Sequence, residues 1–283
     1  MEELKVESPS KINIGLNVVE KRKDGFHNLQ TVFYPLLLSD KLTFQKSVKL
    51  ELNSNSKTLG EPTDNLILKA IRLLQSETDI EITVKILLEK LIPVGAGLGG
   101  GSSNAAATLK AINKLFKLNL SYEKLAVLAL KLGSDVPFFL SAVPSYAESR
   151  GEKLIPLNLE IQYPILVVNP GINISTRWAF ERVVPSQPNY NLLQLLSEKL
   201  DFNEIKEHVK NDFEPIVFKE YPEIEKIKKD LYEKGANFAL MSGTGSTVYG
   251  IFSNLQKALL ADEYFKQSYF TFLNNPFDKG SIT

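Results

Sequence analysis

The sequence predicts an α+β protein, in which helices and strands both contribute to the core. Residues 11–18 and 80–86 alternate apolar and polar side chains, as half-buried strands do. Apolar residues at helical spacing follow Asp64, and a second helical pattern follows the segment 93–101. A chain of 283 residues has room for one large domain or two domains of medium size.

The composition narrows the class of protein. Lysine plus arginine and aspartate plus glutamate number 33 each, so the net charge is zero and a nucleic-acid partner is not expected. The chain has no cysteine, which excludes disulfides, thiolate catalysis and cysteine-ligated metals. The N-terminal sequence lacks the pattern of a signal peptide, and no stretch is apolar for long enough to span a bilayer. We therefore expect a soluble, cytoplasmic protein that does not bind membranes.

The first predicted strand carries polar side chains on one face. In residues 11–18 the apolar side chains share one face, and Lys11 and Asn13 project together from the other. On the sequence alone, both polar residues are interpreted as solvated. Residues 29–38 predict a returning strand that bends or ends at Pro35.

Further elements follow from capping residues and periodicity. Asp64 is expected to cap a helix, and residues 80–86 are expected to form the next strand. In the second half, residues 165–168 predict a buried strand. Residues 222–235 predict an amphipathic helix that ends at Gly235.

The most unusual stretch is the glycine segment, residues 93–103, which reads PVGAGLGGGSS and holds five glycines. A predicted strand precedes it and an alanine-rich helix follows it. The start of a helix presents unpaired N–H groups and a partial positive charge, and glycines let a phosphate approach these groups closely. The segment therefore predicts a polyphosphate site. A flexible linker or a tight turn is the alternative, but a linker rarely runs straight into a helix, and a turn needs only one or two glycines.

Several known phosphate loops do not fit this segment. A P-loop needs a lysine at the helix start, whereas Gly101 is followed by Ser102 and Ser103. The spacing G-x-G-x-x-G occurs, but the acidic residue that a dinucleotide fold needs about 20 positions later is absent. The H-R-D and D-F-G motifs of protein kinases are also absent. The segment therefore represents a different lineage of phosphate loop.

The glycine segment closely resembles a motif of the GHMP kinases, the superfamily of galactokinase, homoserine kinase, mevalonate kinase and phosphomevalonate kinase. Other stretches occur in that family's order from about residue 8 to about residue 250. They are SPSKINIGL at 8–16, DGFHNLQTVF at 24–33, GSDVPFFL at 133–140, NDFEP at 211–215 and SGTGSTVY at 242–249. The DGFH and GSDVPFF stretches narrow the resemblance to the branch that acts on CDP-methylerythritol.

The resemblance implies a two-domain GHMP kinase fold. Residues 1–155 would form an N-terminal ATP-binding α+β domain, and residues 156–283 a ferredoxin-like α+β domain. The implied activity is ATP-dependent phosphorylation of the 2-hydroxyl of CDP-methylerythritol, in the non-mevalonate isoprenoid pathway, with ATP and Mg²⁺ as cofactors. A homoserine or mevalonate kinase and a non-catalytic nucleotide-binding relative are the alternatives. The oligomeric state is left open.

The resemblance also assigns catalytic residues. It makes Asp135 the base that takes the proton of the attacking hydroxyl. From the residues alone, Asp135 would cap the next helix, and the two roles are compatible because a carboxylate at a helix start stays ionised. Lys11 becomes its partner, since a cation there lowers the proton affinity of the hydroxyl and offsets charge on the phosphoryl group. Asn13 shares the face of Lys11 and is assigned to the substrate.

A cytidine pocket is implied by a second set of residues. By the resemblance, His27 contacts the cytosine ring, Phe26 forms an aromatic wall, and Phe180 is a second stacking aromatic with Thr176 nearby. From the residues alone, His27 would be a surface histidine and Phe180 a core residue. Phe26 stands where the family often has tyrosine, so stacking is kept and a phenol hydrogen bond is lost. Trp178 departs from the small or aliphatic residue that the resemblance leads us to expect.

The resemblance assigns the whole glycine segment to ATP. Its members are Pro93, Val94, Gly95, Ala96, Gly97, Leu98, Gly99, Gly100, Gly101, Ser102 and Ser103. The two serines could instead simply cap the helix. No acidic residue adjoins the segment, so the metal ligands are unknown, and ATP phosphates and water are expected to hold Mg²⁺.

A second glycine-rich stretch, residues 242–246, lies between two predicted strands. From the residues alone it is a hairpin turn. The resemblance makes it a motif that closes on the phosphates and the reacting hydroxyl, so Gly243, Thr244 and Gly245 are assigned to the substrate. The two acidic residues of NDFEP are expected to orient the structure and are given no chemical role.

Overall fold

The structure, a computed structural model, describes residues 2–56, 63–197 and 200–277. It divides into two compact units, each built from separate stretches of the chain. Unit 1 is drawn from Met1–Lys11, Leu38–Val94 and Gly99–Val143. Unit 2 is drawn from Ile12–Leu37, Gly95–Leu98 and Pro144–Thr283. A domain boundary after residue 155 stays a prediction.

Ten strands and ten helices lie within the described residues. The strands are β1 (Glu3–Lys21), β2 (His27–Lys46), β3 (Glu51–Ser54), β4 (Val84–Glu89), β5 (Ser145–Ser149), β6 (Lys153–Pro156), β7 (Ile165–Asn169), β8 (Phe238–Met241), β9 (Val248–Ile251) and β10 (Phe270–Asn274). The helices are α1 (Leu66–Thr78), α2 (Gly100–Leu115), α3 (Tyr122–Leu132), α4 (Phe138–Ser141), α5 (Thr176–Phe180), α6 (Leu192–Leu195), α7 (Phe202–His208), α8 (Glu214–Glu220), α9 (Pro222–Glu233) and α10 (Leu255–Phe265). Within this described part of the chain, no helix is both long enough and apolar enough to cross a membrane.

In unit 1, strands from β2, β4 and β3 lie side by side. β4 pairs antiparallel with the second half of β2, where Ile86 lies opposite Phe44, and it pairs parallel with β3. Helices α1, α2 and α3 pack on one another. The buried residues Ala105, Ala106 and Ala111 of α2 favour the helix and are small enough for its neighbours to approach closely.

Two element boundaries in unit 1 differ from the sequence prediction. The cap of α1 is Asn65 rather than Asp64, because Asn65 Oδ1 accepts a hydrogen bond from Ile67 N at 2.9 Å. Asp64 instead forms an exposed ion pair with Lys69. The strand predicted at 80–86 begins and ends later, as β4, because only the residues of β4 pair with β2.

In unit 2, the first half of β2 pairs antiparallel with β5, and β5 pairs antiparallel with β6. A separate antiparallel sheet has the strand order β10-β7-β9-β8. Helix α9 packs on β8 and β9, and α10 packs on β7 and β10. Their core includes Ile227, Leu231, Phe252 and Phe265, all fully buried. The buried strand and the amphipathic helix predicted for this half are confirmed as β7 and α9.

Pro35 does not end the returning strand, since β2 continues to Lys46. β2 pairs with β5 over residues 29–33 and with β4 over residues 41–46. Pro35 lies between these two stretches, so its missing N–H removes no hydrogen bond to either strand. The mixture of helices and two sheets confirms the α+β class.

Candidate active site

The glycine segment leads from β4 into α2, in the predicted order of strand, loop and helix. Gly95, Gly97 and Gly99 have φ between +66° and +77°, a left-handed conformation that glycine adopts without strain. Gly99 is the N-cap of α2, so no side chain caps this helix. The first N–H groups of the helix have no acceptor within it, and this end carries a partial positive charge. These donors suit the oxygens of a phosphate.

Lys11 of β1 lies alongside the start of α2. A Cβ on Gly99 would lie 3.2 Å from Lys11 Cε and 2.7 Å from Phe139 Cζ. Any larger residue at position 99 would therefore push one of these side chains away. The bare backbone of Gly99 is what allows the lysine to lie at the helix start.

Lys11 and Asp135 form an ion pair. Lys11 Nζ lies 3.8 Å from Asp135 Oδ2, which is longer than a hydrogen bond. The Lys11 side chain is 4% exposed and that of Asp135 is 37% exposed. Burial lowers the pKa of Lys11, and the nearby carboxylate of Asp135 opposes this shift. The interpretation of Lys11 as a solvated residue is therefore wrong.

Asp135 lies in the turn between α3 and α4. The N-cap of α4 is Pro137, and no side chain caps this helix. The alternative in which Asp135 serves as a helix cap is therefore wrong. Its carboxylate stays partly open to solvent beside a buried cation, which is an arrangement that a proton acceptor can use.

A second, largely buried ion pair lies next to the start of α2, and sequence analysis missed it. Lys90 Nζ lies 2.6 Å from Asp40 Oδ2 and donates to Ile92 O at 2.8 Å. The other Asp40 oxygen accepts hydrogen bonds from Leu91 N and Ile92 N. A Cβ on Gly100 would lie 2.9 Å from Lys90 Nζ. Burial lowers the pKa of Lys90, and Asp40 opposes this. The one available signal was that Asp40 shares a strand face with Leu38 and Leu42, two positions to either side.

The two serines of the glycine segment differ in their surroundings. Ser103 is buried, and its Oγ accepts a hydrogen bond from Ser8 Oγ at 2.8 Å. Ser102 is only half-buried. Both lie inside α2, so neither caps the helix. Of the two hydroxyls, Ser102 is the one more open to a ligand.

Within unit 2, the glycine segment contacts the glycine turn, residues 242–246. A Cβ on Gly97 would lie 2.2 Å from Ser242 O, so only glycine fits there. Ser242 Oγ donates to Gly97 O at 3.0 Å, and Thr247 N donates to Ala96 O at 3.3 Å. Because β8 and β9 pair antiparallel, the turn also joins a hairpin, as predicted from its residues.

Asn13 is held next to the glycine turn. Its Nδ2 donates to Thr31 Oγ1 at 2.9 Å, and its backbone N–H donates to Ser242 Oγ at 3.2 Å. Its carbonyl accepts a hydrogen bond from Tyr249 OH at 3.0 Å. A Cβ on Gly243 would lie 3.5 Å from Asn13 Oδ1. Asn13 is 2% exposed, so the solvated interpretation is wrong for this residue too.

Aromatic side chains surround His27 in unit 2. The rings of His27 and Phe180 stack with centroids 5.1 Å apart, and Phe180 also packs edge-on against Phe213. Phe26 is about half exposed, and the guanidinium carbon of Arg150 lies 3.8 Å from its ring centroid. His27 is buried, so it is not a surface histidine. Arg150 was missed because nothing in the sequence links it to a residue so distant in the chain.

The protonation of His27 follows from its surroundings. Burial lowers the pKa of His27 from its usual value of 6.5, and the positive charge of Lys21 lowers it further. The imidazole is therefore neutral at pH 7. A neutral imidazole has one donor and one acceptor nitrogen, which suits hydrogen bonding to a nucleobase.

Helix α5 carries the remaining predicted residues of the cytidine pocket. Thr176 is its first residue and is exposed. Trp178 is half-buried and packs edge-on against Tyr221, with the Arg182 guanidinium 4.9 Å from its ring. Trp178 therefore packs against Tyr221 and Arg182 within unit 2.

The described part of the chain offers no cluster of acidic or histidine side chains that marks a metal site. Among the residues that the structure describes, no group of three or more such side chains could hold a metal ion. The polar groups at the start of α2 are backbone N–H groups and a serine hydroxyl. The metal ligands are therefore still open.

Two stretches of the chain match the models of one family. Residues 65–142 match the GHMP kinases N terminal domain, and residues 192–269 match the GHMP kinases C terminal domain. The first stretch contains the glycine segment and Asp135, and the second contains the glycine turn. Both halves of a GHMP kinase are thus represented.

Curated relatives are similar over most of their length. The chain is 45% identical over 249 residues to the 4-diphosphocytidyl-2-C-methyl-D-erythritol kinase of Bacteroides thetaiotaomicron, covering 86% of this chain and 90% of the relative. It is 44% identical over 259 residues to the enzyme of the same name from Bacteroides fragilis, covering 89% and 93%. It is 39% identical over 265 residues to that of Thermodesulfovibrio yellowstonii, covering 91% and 92%.

Solved structures agree with these relatives. A crystal structure of 4-(cytidine 5′-diphospho)-2C-methyl-D-erythritol kinase matches with a TM-score of 0.81 at 32% identity, covering 95% of this chain and 98% of that one. A homoserine kinase from Cytophaga hutchinsonii matches with a TM-score of 0.70 at 18% identity, covering 97% and 95%, which shows the shared fold alone. The chain belongs to the GHMP kinase family, in the branch whose named members are 4-diphosphocytidyl-2-C-methyl-D-erythritol kinases. It is therefore an enzyme of the kinase class.

Proposed function

We propose that this enzyme transfers a phosphoryl group from ATP to the 2-hydroxyl of CDP-methylerythritol. The observation that carries the proposal is the buried Lys11, which lies beside both Asp135 and the N-cap of α2. A cation, a carboxylate and the open N–H groups of a helix start are the elements that phosphoryl transfer requires. The names of relatives at 39–45% identity support this choice of substrate.

The chemistry divides between the carboxylate and the cation. Asp135 accepts the proton of the 2-hydroxyl as that oxygen forms its bond to phosphorus. Lys11 holds a positive charge near the developing alkoxide, because its ammonium is fixed by burial rather than solvated. ATP, when bound, supplies the phosphoryl group and leaves as ADP. The non-mevalonate route to isoprenoids, placed in the cytoplasm, is the setting that goes with this proposal.

The residues present fit a polyphosphate. At Gly99 and Gly100 a Cβ would meet Lys11 or Lys90, so the backbone is bare where the N–H groups of α2 begin. We assign residues 93–103 to ATP on this basis. For Mg²⁺, the Ser102 hydroxyl, phosphate oxygens and water form an oxygen set of the kind that this ion prefers.

We assign the cytidine to unit 2. His27 offers a neutral imidazole edge, and Phe26 and Phe180 offer aromatic faces, with Thr176 as a polar neighbour. The polyol would be contacted by Asn13, which is fixed on the same strand as Lys11. The glycine turn, through Gly243, Thr244 and Gly245, would close on the phosphates.

The decisive experiment measures ADP release from Mg²⁺-ATP with CDP-methylerythritol, homoserine or mevalonate in separate reactions. We expect release with CDP-methylerythritol alone. Release with homoserine or mevalonate would keep the phosphate site and discard the cytidine assignments. No release with any acceptor, from protein that binds ATP, would favour a non-catalytic relative.

A competition arm tests the cytidine assignments separately. CDP should inhibit the reaction with CDP-methylerythritol more strongly than UDP at equal concentration, since the two differ only at the base edge that His27 is proposed to contact. Equal inhibition by CDP and UDP would remove base recognition from the proposal while leaving the reaction itself in place.

A further inference from the structure

Asn211 is attached to the end of β8 and to the glycine turn by the hydrogens of its side-chain amide. Asn211 Nδ2 donates to Met241 O and to Gly243 O, each at 2.8 Å. Its Oδ1 accepts a hydrogen bond from Phe213 N at 2.9 Å. The residue is 2% exposed, so no water competes for these contacts. The amide donors are therefore spent on the last carbonyl of β8 and on one carbonyl of the turn.

One of these carbonyls, Gly243 O, fixes the direction of an N–H group in the turn. A peptide unit is planar and trans, so its N–H points opposite to its C=O. With Gly243 O held toward Asn211, the N–H of Thr244 points away from Asn211. Within the described parts of the chain, the N–H groups of Gly243 and Thr244 donate to no protein acceptor, whereas Gly245 N donates to Ser242 O at 3.0 Å. Asn211 thus sets the direction of the Thr244 N–H. The Gly243 N–H lies on the peptide of Ser242 O, which is held by Gly245 N instead.

The segment that carries Asn211 is itself anchored. Its backbone joins β1, where Leu16 N donates to Lys210 O at 2.8 Å and Asp212 N donates to Leu16 O at 2.9 Å. Three residues later, Glu214 Oε1 accepts from Met241 N at 3.0 Å, and Lys228 lies 2.6 Å from its other oxygen. The segment therefore bonds both the N–H and the C=O of Met241, the residue that precedes the turn.

From this geometry we infer that Asn211 is a positioning residue for phosphoryl transfer, which holds the Thr244 N–H of the glycine turn in the direction that a phosphoryl oxygen needs. The inference rests on the proposed function, since it assigns the turn to the transferring phosphoryl group. It gives the NDFEP stretch a specific part in the reaction. Such an effect acts on the transition state, where charge gathers on the phosphoryl oxygens, more than on the bound substrate.

The test replaces the amide without changing its shape. Asn211→Asp keeps Oδ1 for Phe213 N and removes both donors. Asn211→Ala removes the donors without adding a charge, and serves if the aspartate variant does not fold. We expect kcat to fall about 10- to 100-fold, with KM for ATP and for CDP-methylerythritol within about twofold. Asp212→Asn is the matched control: it keeps the oxygen that accepts from Val18 N at 2.7 Å and should stay within about twofold in kcat.

Amide hydrogen exchange provides a readout that does not depend on activity. In either Asn211 variant, exchange over residues 241–247 should speed up, while exchange over α2 stays as in the wild type. A kcat within twofold of wild type, a rise in KM at unchanged kcat, or unaltered exchange in the turn would each overturn the inference. If the wild type shows no turnover with CDP-methylerythritol, the proposed function fails. The exchange measurement would still decide whether Asn211 fixes the turn.

Discussion

Lys11 and Asp135 lie 3.8 Å apart with opposite exposure, the ammonium being buried and the carboxylate partly open to solvent. This asymmetry separates what each residue contributes. The protein keeps the cation in place by burying it, at a cost in its solvation, whereas the carboxylate can reach a ligand without rearrangement. Substitutions at both positions should therefore lower activity. Their effects on the free energy of unfolding should differ, because only Lys11 is a buried charge.

Asp135→Asn should lower kcat by about 100- to 10,000-fold, because the amide cannot accept the hydroxyl proton. The free energy of unfolding should fall by about 1 kcal/mol, because the buried Lys11 loses the charge that opposes its desolvation, and solvent exposure of the carboxylate limits that loss. Turnover with CDP-methylerythritol and urea denaturation measure the two effects. Asp64→Asn is a suitable control, because its ion pair with Lys69 is at the surface. Near-normal turnover of Asp135→Asn would remove it as the base.

Lys11→Met should lower kcat at least about 100-fold and yet raise the free energy of unfolding by about 1 kcal/mol at pH 7, because methionine fills the site without burying a charge. The sign of the pH effect follows from the lowered pKa of Lys11. Above that pKa and below about 10.5, the unfolded wild type binds more protons than the folded one, so its stability rises with pH. The advantage of Lys11→Met should therefore shrink between pH 7 and pH 10. Urea denaturation at the two pH values would show this, and a variant less stable at pH 7 would contradict it.

His27 should make substrate binding depend on pH. Its pKa is lowered, mainly by burial, so the folded protein keeps the imidazole neutral down to a pH below about 6.5. KM for CDP-methylerythritol should stay constant from pH 8 to below 6.5 and rise only where the folded imidazole takes up a proton. The free energy of unfolding should begin to fall earlier, from about pH 6.5 downward, since the unfolded state binds the proton first. In His27→Gln both dependences should flatten, and an unchanged acidic rise in KM would assign it to another group.

Gly99 and Gly101 should respond oppositely to alanine. At Gly99, with φ +72°, the Cβ would meet Phe139 and Lys11, so Gly99→Ala should lower the free energy of unfolding by about 1–3 kcal/mol and reduce kcat as Lys11 moves. At Gly101 the nearest atom would be 3.8 Å away, in ordinary contact. Gly101→Ala should therefore add about 0.5–1 kcal/mol to stability through helix propensity. Thermal denaturation of the pair checks the sign, and equal shifts would refute the steric argument.

The order of elements could be predicted because local patterns carry it. Apolar alternation located residues 11–18 within β1 but not its start at Glu3, the buried run ILVV located β7, and helical spacing located α9. The ends of the helices and strands were harder to predict, because neighbouring residues can serve equally well as the cap of a helix. Asp64 and Asn65 are both good capping residues, and the choice is made by backbone dihedrals that only the folded chain reveals.

Burial of polar residues could not be predicted. Alternation shows which side chains share a face of β1, but it does not show what covers that face. Lys11 and Asn13 therefore looked solvated, whereas both are buried. The resemblance assigned Lys11 to catalysis and Asn13 to the substrate without reference to burial. The structure shows the contacts that each makes.

Contacts between distant parts of the chain left no local signal. Lys90 pairs with Asp40, and Arg150 covers Phe26, across intervals in which no periodicity connects them. Asn211 belongs to the same group, since its partners lie about 30 residues later in a turn whose own sequence shows only glycines. Sequence motifs identify some of these stretches. Only the folded structure shows which side chain contacts which distant segment.

The division of unit 2 into early and late stretches bears on how the chain emerges from the ribosome. β1 pairs with β2, which is made directly after it, but Leu16 also bonds to residues 210–212, which are made about 200 residues later. At synthesis rates of 5–20 residues per second, that interval is roughly 10–40 s. During it, the apolar side chains of residues 12–18 lack the partners that bury them in the finished unit. We therefore expect chaperones that shield extended apolar segments to raise the yield of folded protein. They should have little effect on the stability of the enzyme once it has folded.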